Sequence, residues 1–168
     1  MVSELAQAGK DHPGVIAPPP LLALAVVVLG LLLDWLLPAY LLGLLLALWL
    51  RVFLAVMLIG GGGLLAALAI REFRAAGTHV EPWKPSTALV AGSVYAYSRN
   101  PIYAGLTMIL TGLAFAFASD WMLVLVIVAF VPAMHYGVIK REERYLAAKF
   151  GEPYRRYMDA VPRYGPRI

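Results

Sequence analysis

Ser98-Arg99-Asn100-Pro101-Ile102-Tyr103-Ala104-Gly105 marks the point where a basic loop gives way to an apolar run, and the chain reads outward from it. Proline is tolerated in the first turn of a helix, where its missing N–H costs nothing, and asparagine is a good N-cap just before it. The spacing therefore predicts a helix beginning at Pro101 and running apolar to about 118. Asp120-Trp121 marks a very short turn, and a second apolar run follows from about 121 to 139. Pro132 should kink that run. Its helix is expected to continue as an amphipathic extension through about Phe150.

The N-terminal half has the same character. Residues 1–17 are polar and irregular, and Pro18-Pro19-Pro20 precedes a first span at about 20–37, with Asp34 expected at an interface because a carboxylate at the bilayer centre is costly. We read this span as a retained helix rather than a signal peptide, since it lacks a basic leader and a small-residue cleavage site. Pro38 interrupts an uncharged stretch, and 38–48 reads as an interfacial or re-entrant connection. A second span covers about 50–71, with Gly60-Gly61-Gly62-Gly63 in its middle; small residues there favour close helix–helix contact. Residues 75–100 form a loop in which Pro82-Trp83-Lys84-Pro85 excludes a continuous helix.

Composition fits this pattern. The chain has 168 residues, is 61% hydrophobic and is only 14% charged, so a soluble domain of its size could not bury its apolar surface. Cysteine is absent, which removes disulfides, zinc–thiolate sites and thiol nucleophiles. The net charge of +4 does not point to nucleic acid, because the basic residues are distributed as the positive-inside rule predicts. With four spans, twelve of the fourteen Lys and Arg share the face of the 71–100 loop and the C-terminal tail. The loop and both termini are accordingly expected to be cytoplasmic. The expected fold is an all-α integral membrane protein of about four transmembrane helices, an interfacial segment and a C-terminal cytoplasmic helix and tail. It forms one domain, 1–168, with N-terminal helices over 1–74 and a site-bearing core over 75–168.

Two polar clusters flank the apolar hairpin. In the first, Arg99 lies beside the positive dipole end of the Pro101 helix, a seat for a carboxylate or phosphate. Tyr97 and Tyr103 add rings and hydroxyls there, and Gly105 allows close approach. Taken alone, these residues also suit an ordinary membrane interface. The second cluster begins with Glu142-Glu143. On a regular helix Glu142, Leu146 and Phe150 align, and His135 lies two turns back on nearly the same face. A carboxylate facing inward could grip a ribose diol or a cation; a solvated Glu/Arg surface is the plainer alternative. Gly151 stops the helix, and Tyr154 and Tyr157 suggest that the tail packs over the site rather than trailing as a disordered basic segment.

Together these residues resemble the isoprenylcysteine carboxyl methyltransferase family and its bacterial and phospholipid-methylating relatives. The family pattern is Arg-His-Pro-x-Tyr-x-Gly, an apolar hairpin, then Glu-Glu-x-x-Leu-x-x-x-Phe-Gly-x-x-Tyr-x-x-Tyr. This chain has Arg99-Asn100-Pro101-Ile102-Tyr103-Ala104-Gly105, then Glu142-Glu143, Leu146, Phe150-Gly151, Tyr154 and Tyr157, followed by Val161-Pro162-Arg163. The resemblance covers 77–166, including the Pro82-Trp83-Lys84-Pro85 lead-in; the first two spans match only in kind. Asn100 replaces the family histidine and cannot titrate near neutrality.

The resemblance implies an S-adenosylmethionine-dependent membrane methyltransferase. Its catalytic candidates are Arg99, Glu143 and Arg163. Its cofactor-binding candidates are Tyr97, Asn100, Pro101, Tyr103, Gly105, His135, Glu142, Tyr154 and Tyr157, with Glu142 or Glu143 meeting the ribose and no metal required. Arg163 or Arg99 could orient an acceptor carboxylate. Methyl transfer needs alignment and a dry pocket, with little acid–base help if the acceptor is already an anion. The acceptor would be lipid-like or a small hydrophobic molecule, bearing a carboxylate, thiol, amine or phospholipid headgroup and reaching the site from the surrounding membrane lipids. A bacterial inner-membrane location goes with this reading. The competing readings are a non-catalytic membrane scaffold with the same fold and a sterol-reductase-like nicotinamide-binding enzyme.

Overall fold

A computed structural model describes residues 11–165, which are helical with no strand among them. Pro19 opens α1 (Pro19–Leu36), which ends just before Pro38. One short turn, α2 (Leu41–Leu45), follows, and α3 (Leu48–Ala75) is the longest helix at 28 residues. A loop containing the 3₁₀ turn Ser93–Ala96 leads to α4 (Pro101–Phe117). Ala118, in the left-handed region at φ 51°, reverses the chain, and Ser119 caps α5 (Asp120–Leu125) by accepting from the Met122 N–H. That helix runs on through π-helical turns at Val126–Phe130 and Ala133–Ile139 into α6 (Lys140–Phe150). It bends by 40° at the break around Val131-Pro132, the kink expected of Pro132. Gly151, at φ 61°, then turns the chain into α7 (Glu152–Ala160).

By length and composition, α1 and α3 are long and apolar enough to cross a bilayer, and the bent hairpin arm is a third such helix if taken as one span. The remaining expected span, the third along the chain, is α4, which has 17 residues. That is about 25 Å of helix, a little less than the roughly 30 Å hydrocarbon core. The 38–48 connection holds α2, whose Leu44 and Leu45 are exposed.

The packing of α3 on α4 is set by glycine. A methyl added to Gly62 would lie 2.5 Å from the Gly105 carbonyl oxygen, and one added to Gly105 would lie 2.6 Å from that of Gly62. Within the Gly60–Gly63 run, Gly62 makes this contact while Gly60 and Gly63 face open space. On the other side, Ala23 and Val26 of α1 join Leu110, Ala114, Met122 and Phe130 in the main core.

Polar ties close the end of the bundle away from Lys140. Asp34 accepts a hydrogen bond from the Ser119 hydroxyl. The Asp120 carboxylate accepts from the N–H groups of Leu41 and Leu42 at 2.7 and 2.8 Å, which fixes the start of α2. Trp121 Nε1 donates to the Leu37 carbonyl at 2.6 Å. At the opposite end, residues 11–18 cross α6 as a strap. The π-helical stretch leaves the Gly137 carbonyl to accept from the Ile16 N–H at 3.1 Å, and Arg141 Nη1 donates to the Gly14 carbonyl at 2.7 Å.

Candidate functional site

The start of α4, the start of α6, α7 and the 78–90 loop enclose one cavity. Arg99, Asn100, Ile102, Tyr103, Glu142, Glu143, Leu146, Tyr154 and Tyr157 line it, with His79, Glu81, Leu89, Tyr95 and Pro13 of the strap. The two polar clusters therefore share a wall. The internal volume is about 90 Å³, well below the roughly 300–1,000 Å³ of a typical ligand pocket. A nucleoside-sized ligand requires its walls to part.

The two adjacent glutamates have different partners. Glu143 lies between two arginines: Arg163 Nε and Nη2 donate to its oxygens at 2.9 and 2.7 Å, and Arg99 Nη1 lies 2.9 Å from Oε1. Glu142 has no cationic partner among the described residues; its contact is the Tyr103 hydroxyl, which donates to Oε1 at 2.5 Å. Its side chain is part of the cavity lining. Burial pushes the Glu142 carboxyl up to about 7; the bond from Tyr103 opposes this and repulsion from Glu143 adds to it. Burial likewise pushes Tyr154 up to about 12 and holds Tyr95 and Tyr157 well above the ordinary phenol range.

Arg99 is the unbalanced charge. Its side chain is only 10% exposed. Its Nε and Nη1 are buried and have no aligned hydrogen-bond acceptor, the Nη1 contact with Glu143 being an ion pair without that alignment. Two guanidiniums share one fully committed carboxylate, so this end of the cavity carries spare positive charge. The first turn of α4 adds to it, since its N–H groups have no side-chain cap.

Several expected site residues stand elsewhere or act otherwise than expected. Asn100 lines the cavity and holds the N-cap position without capping; its amide donates to the Arg163 carbonyl at 3.1 Å, tying the tail to α4. Gly105 makes its close approach to Gly62 of α3, not to the cavity. Pro101 is buried outside the lining, Tyr97 is 68% exposed, and Arg163 reaches the cavity only through Glu143. His135 also lies outside the lining. The wider π-helical turns between it and Glu142 break the 3.6-residue periodicity that would have put them on one face. Its Nδ1 meets the Tyr164 hydroxyl instead.

A second cavity, of about 350 Å³, lies between α3, α4 and the bent arm. Leu58, Met108, Val131 and Met134 make it strongly apolar, and Tyr164 stands in its lining. Tyr103 is the one described residue in the linings of both cavities. Sequence reasoning did not single out the lid. Tyr145 accepts from the Ser86 N–H at 3.1 Å, donates to Asp11 Oδ1 at 2.9 Å and receives Lys149 Nζ at 3.0 Å, holding the 78–90 loop and the strap together. Tyr145 sits inside the quoted Glu142–Leu146 motif, but nothing in its spacing names Ser86 or Asp11.

Comparison with protein families matches residues 50–153 to phospholipid methyltransferase, a stretch that takes in nearly all of α3 and the cavity lining as far as Leu146, and stops before Tyr154, Tyr157 and Arg163. Comparison with curated proteins and with solved structures finds no match.

Proposed function

The chain belongs to the phospholipid methyltransferase family, and from that membership we propose that it uses S-adenosylmethionine to methylate a lipid-like acceptor at the cytoplasmic face of the membrane. The bound cofactor would supply a methyl group on a positively charged sulfur, already activated for transfer.

The observation that carries the cofactor half of this reading is the charge balance at Arg99. A guanidinium nine-tenths buried in the cavity lining, with two nitrogens lacking an aligned acceptor and only a shared carboxylate beside it, favours a further anion. An amino-acid carboxylate seated on Arg99 and the open first turn of α4 answers that need. Glu143 holds Arg99 and Arg163 in register. Tyr95, Tyr154 and Tyr157 provide aromatic surface for a planar base, and the 78–90 loop excludes water once closed. On the acceptor side, the 350 Å³ apolar cavity suits a hydrocarbon chain and leads to Tyr103. The cytoplasmic placement rests on the twelve basic residues of the loop and tail.

Calorimetric titration with S-adenosylmethionine in detergent tests the cofactor. Saturable binding is expected, weakened by about 10- to 100-fold in Arg99→Ala, the scale of charge-assisted hydrogen bonds. A native protein that shows no saturable binding rejects the proposal and leaves a scaffold with this fold. Incubating membranes with methyl-labelled cofactor tests the acceptor: label is expected in the lipid extract, and label confined to the water-soluble fraction excludes a lipid acceptor.

A further inference from the structure

We propose that Tyr164 is an acceptor-site residue: its ring closes the tail end of the apolar cavity to water and packs against the acceptor held there. This rests on the methyltransferase reading above and goes beyond it, giving a role to a side chain outside the stretch matched to the family. The argument starts where the cavity meets the surface. Among the described residues that line it, only Val131 and Tyr164 are exposed, at 43% and 57%. Val131 follows Ile127 and Val128 on the bent arm, which are exposed and apolar as well, so that edge faces hydrocarbon. Tyr164 belongs to the basic tail beside Arg163. The cavity thus has one edge toward lipid and one toward water, and an aromatic ring stands at the second.

An exposed tyrosine ordinarily samples several rotamers, and ordering it costs free energy. Tyr164 is held at both ends. Its hydroxyl is hydrogen-bonded to His135 Nδ1, and the two rings lie 5.8 Å apart, inclined at 38°. Behind it the backbone is pinned: the Arg99 N–H donates to the Pro162 carbonyl at 3.0 Å, and Ser98 Oγ and Asn100 Nδ2 donate to the Arg163 carbonyl at 3.2 and 3.1 Å. His135 lies outside the lining, so the hydroxyl is committed there and the cavity meets the ring. His135 is therefore a positioning residue that acts through Tyr164.

The other hydroxyls of the lining are committed too. Thr107 and Thr111 donate to the carbonyls of Tyr103 and Thr107 one turn back, and Tyr103 donates to Glu142. Such a cavity offers water few partners and suits hydrocarbon. Water admitted at the tail would reach Tyr103, which the two cavities share. Methyl transfer from a sulfonium favours a dry site, and the Tyr164 ring keeps the acceptor side dry.

The absence of cysteine makes the seal measurable. Thr107→Cys puts a single thiol of nearly the same size in the lining. In nanodiscs, a charged methanethiosulfonate, which stays out of hydrocarbon, should modify it slowly. Adding Tyr164→Phe should speed the reaction about fivefold, the loss of one net hydrogen bond, and Tyr164→Ala should speed it further. His135→Ala should match Tyr164→Phe, and combining the two should add nothing, as for partners in one bond. Without the reporter thiol, Tyr164→Ala should raise KM for a membrane lipid extract by about tenfold, the scale of a lost aromatic contact. Its kcat should change less, and calorimetry should give an unaltered S-adenosylmethionine affinity.

Equal modification rates with and without the Tyr164 ring overturn the seal and leave an ordinary interfacial tyrosine. A faster rate with an unchanged KM overturns the contact with the acceptor. If the rates diverge as expected but native protein binds no S-adenosylmethionine, the function reading fails while the sealed cavity stands.

Discussion

Glu142 and Glu143 are adjacent in sequence and differ almost entirely in what surrounds them. Glu143 is the carboxylate that two guanidiniums share, so Glu143→Gln should strand both and cost about 3 kcal/mol. Thermal unfolding in detergent would record this as a lower Tm, and native-like stability would mean that the arginines find other anions. Glu142 should act in the reverse sense. Its carboxyl is raised from 4.5 to about 7 in the folded protein, so ionising it opposes folding. This group's contribution is most favourable below about pH 4.5 and declines as pH rises to about 7. Unfolding midpoints of native protein and Glu142→Gln should therefore diverge across that window, with the native protein losing the more; parallel curves would refute the burial argument. The acidic pair was legible in the sequence, but the division of labour was not. It depends on Arg99 and Arg163, remote positions that the tail brings back through the Asn100–Arg163 bond.

Among the elements, α3 and α4 meet where neither can carry a side chain. Gly62→Ala would press a methyl against backbone and should cost about 1–3 kcal/mol by forcing the helices apart. Gly60→Ala, with open space around it, should be tolerated. Equal unfolding temperatures for the two variants would contradict the packing. The glycine run announced close packing in sequence; which of its members makes the contact depends on helix rotation. His135 shows the limit of such periodic reasoning, since the π-helical turns that displace it carry no marker beyond Pro132. One hydroxyl joins the 78–90 loop to the strap. Tyr145→Phe removes the bonds to Ser86 and Asp11, so backbone amide exchange should accelerate in 78–90 and leave α3 unchanged. Unaltered exchange in the loop would show that other contacts hold it shut.

At the scale of the whole molecule, the all-α character and the meeting of the two clusters could be read from hydropathy and capping residues. The broken fourth arm was legible only in part, because Pro132 predicts a kink but not the π-helical turns on either side. The strap is a tertiary event with no local signal. The far end was equally hidden: Asp34, Asp120 and Trp121 bind α1, α2 and the α4–α5 turn into one knot. Gly30 sits against the Met122 backbone beside it, where an added methyl would lie 2.8 Å from Met122 Cα. With that end tied, a ligand too large for the cavity must part the helices at the end that carries the acidic pair, against the strap and the Tyr145 contacts. If the acceptor is a lipid, as proposed above, it would enter and leave on that side, and turnover would change headgroup chemistry in one leaflet alone.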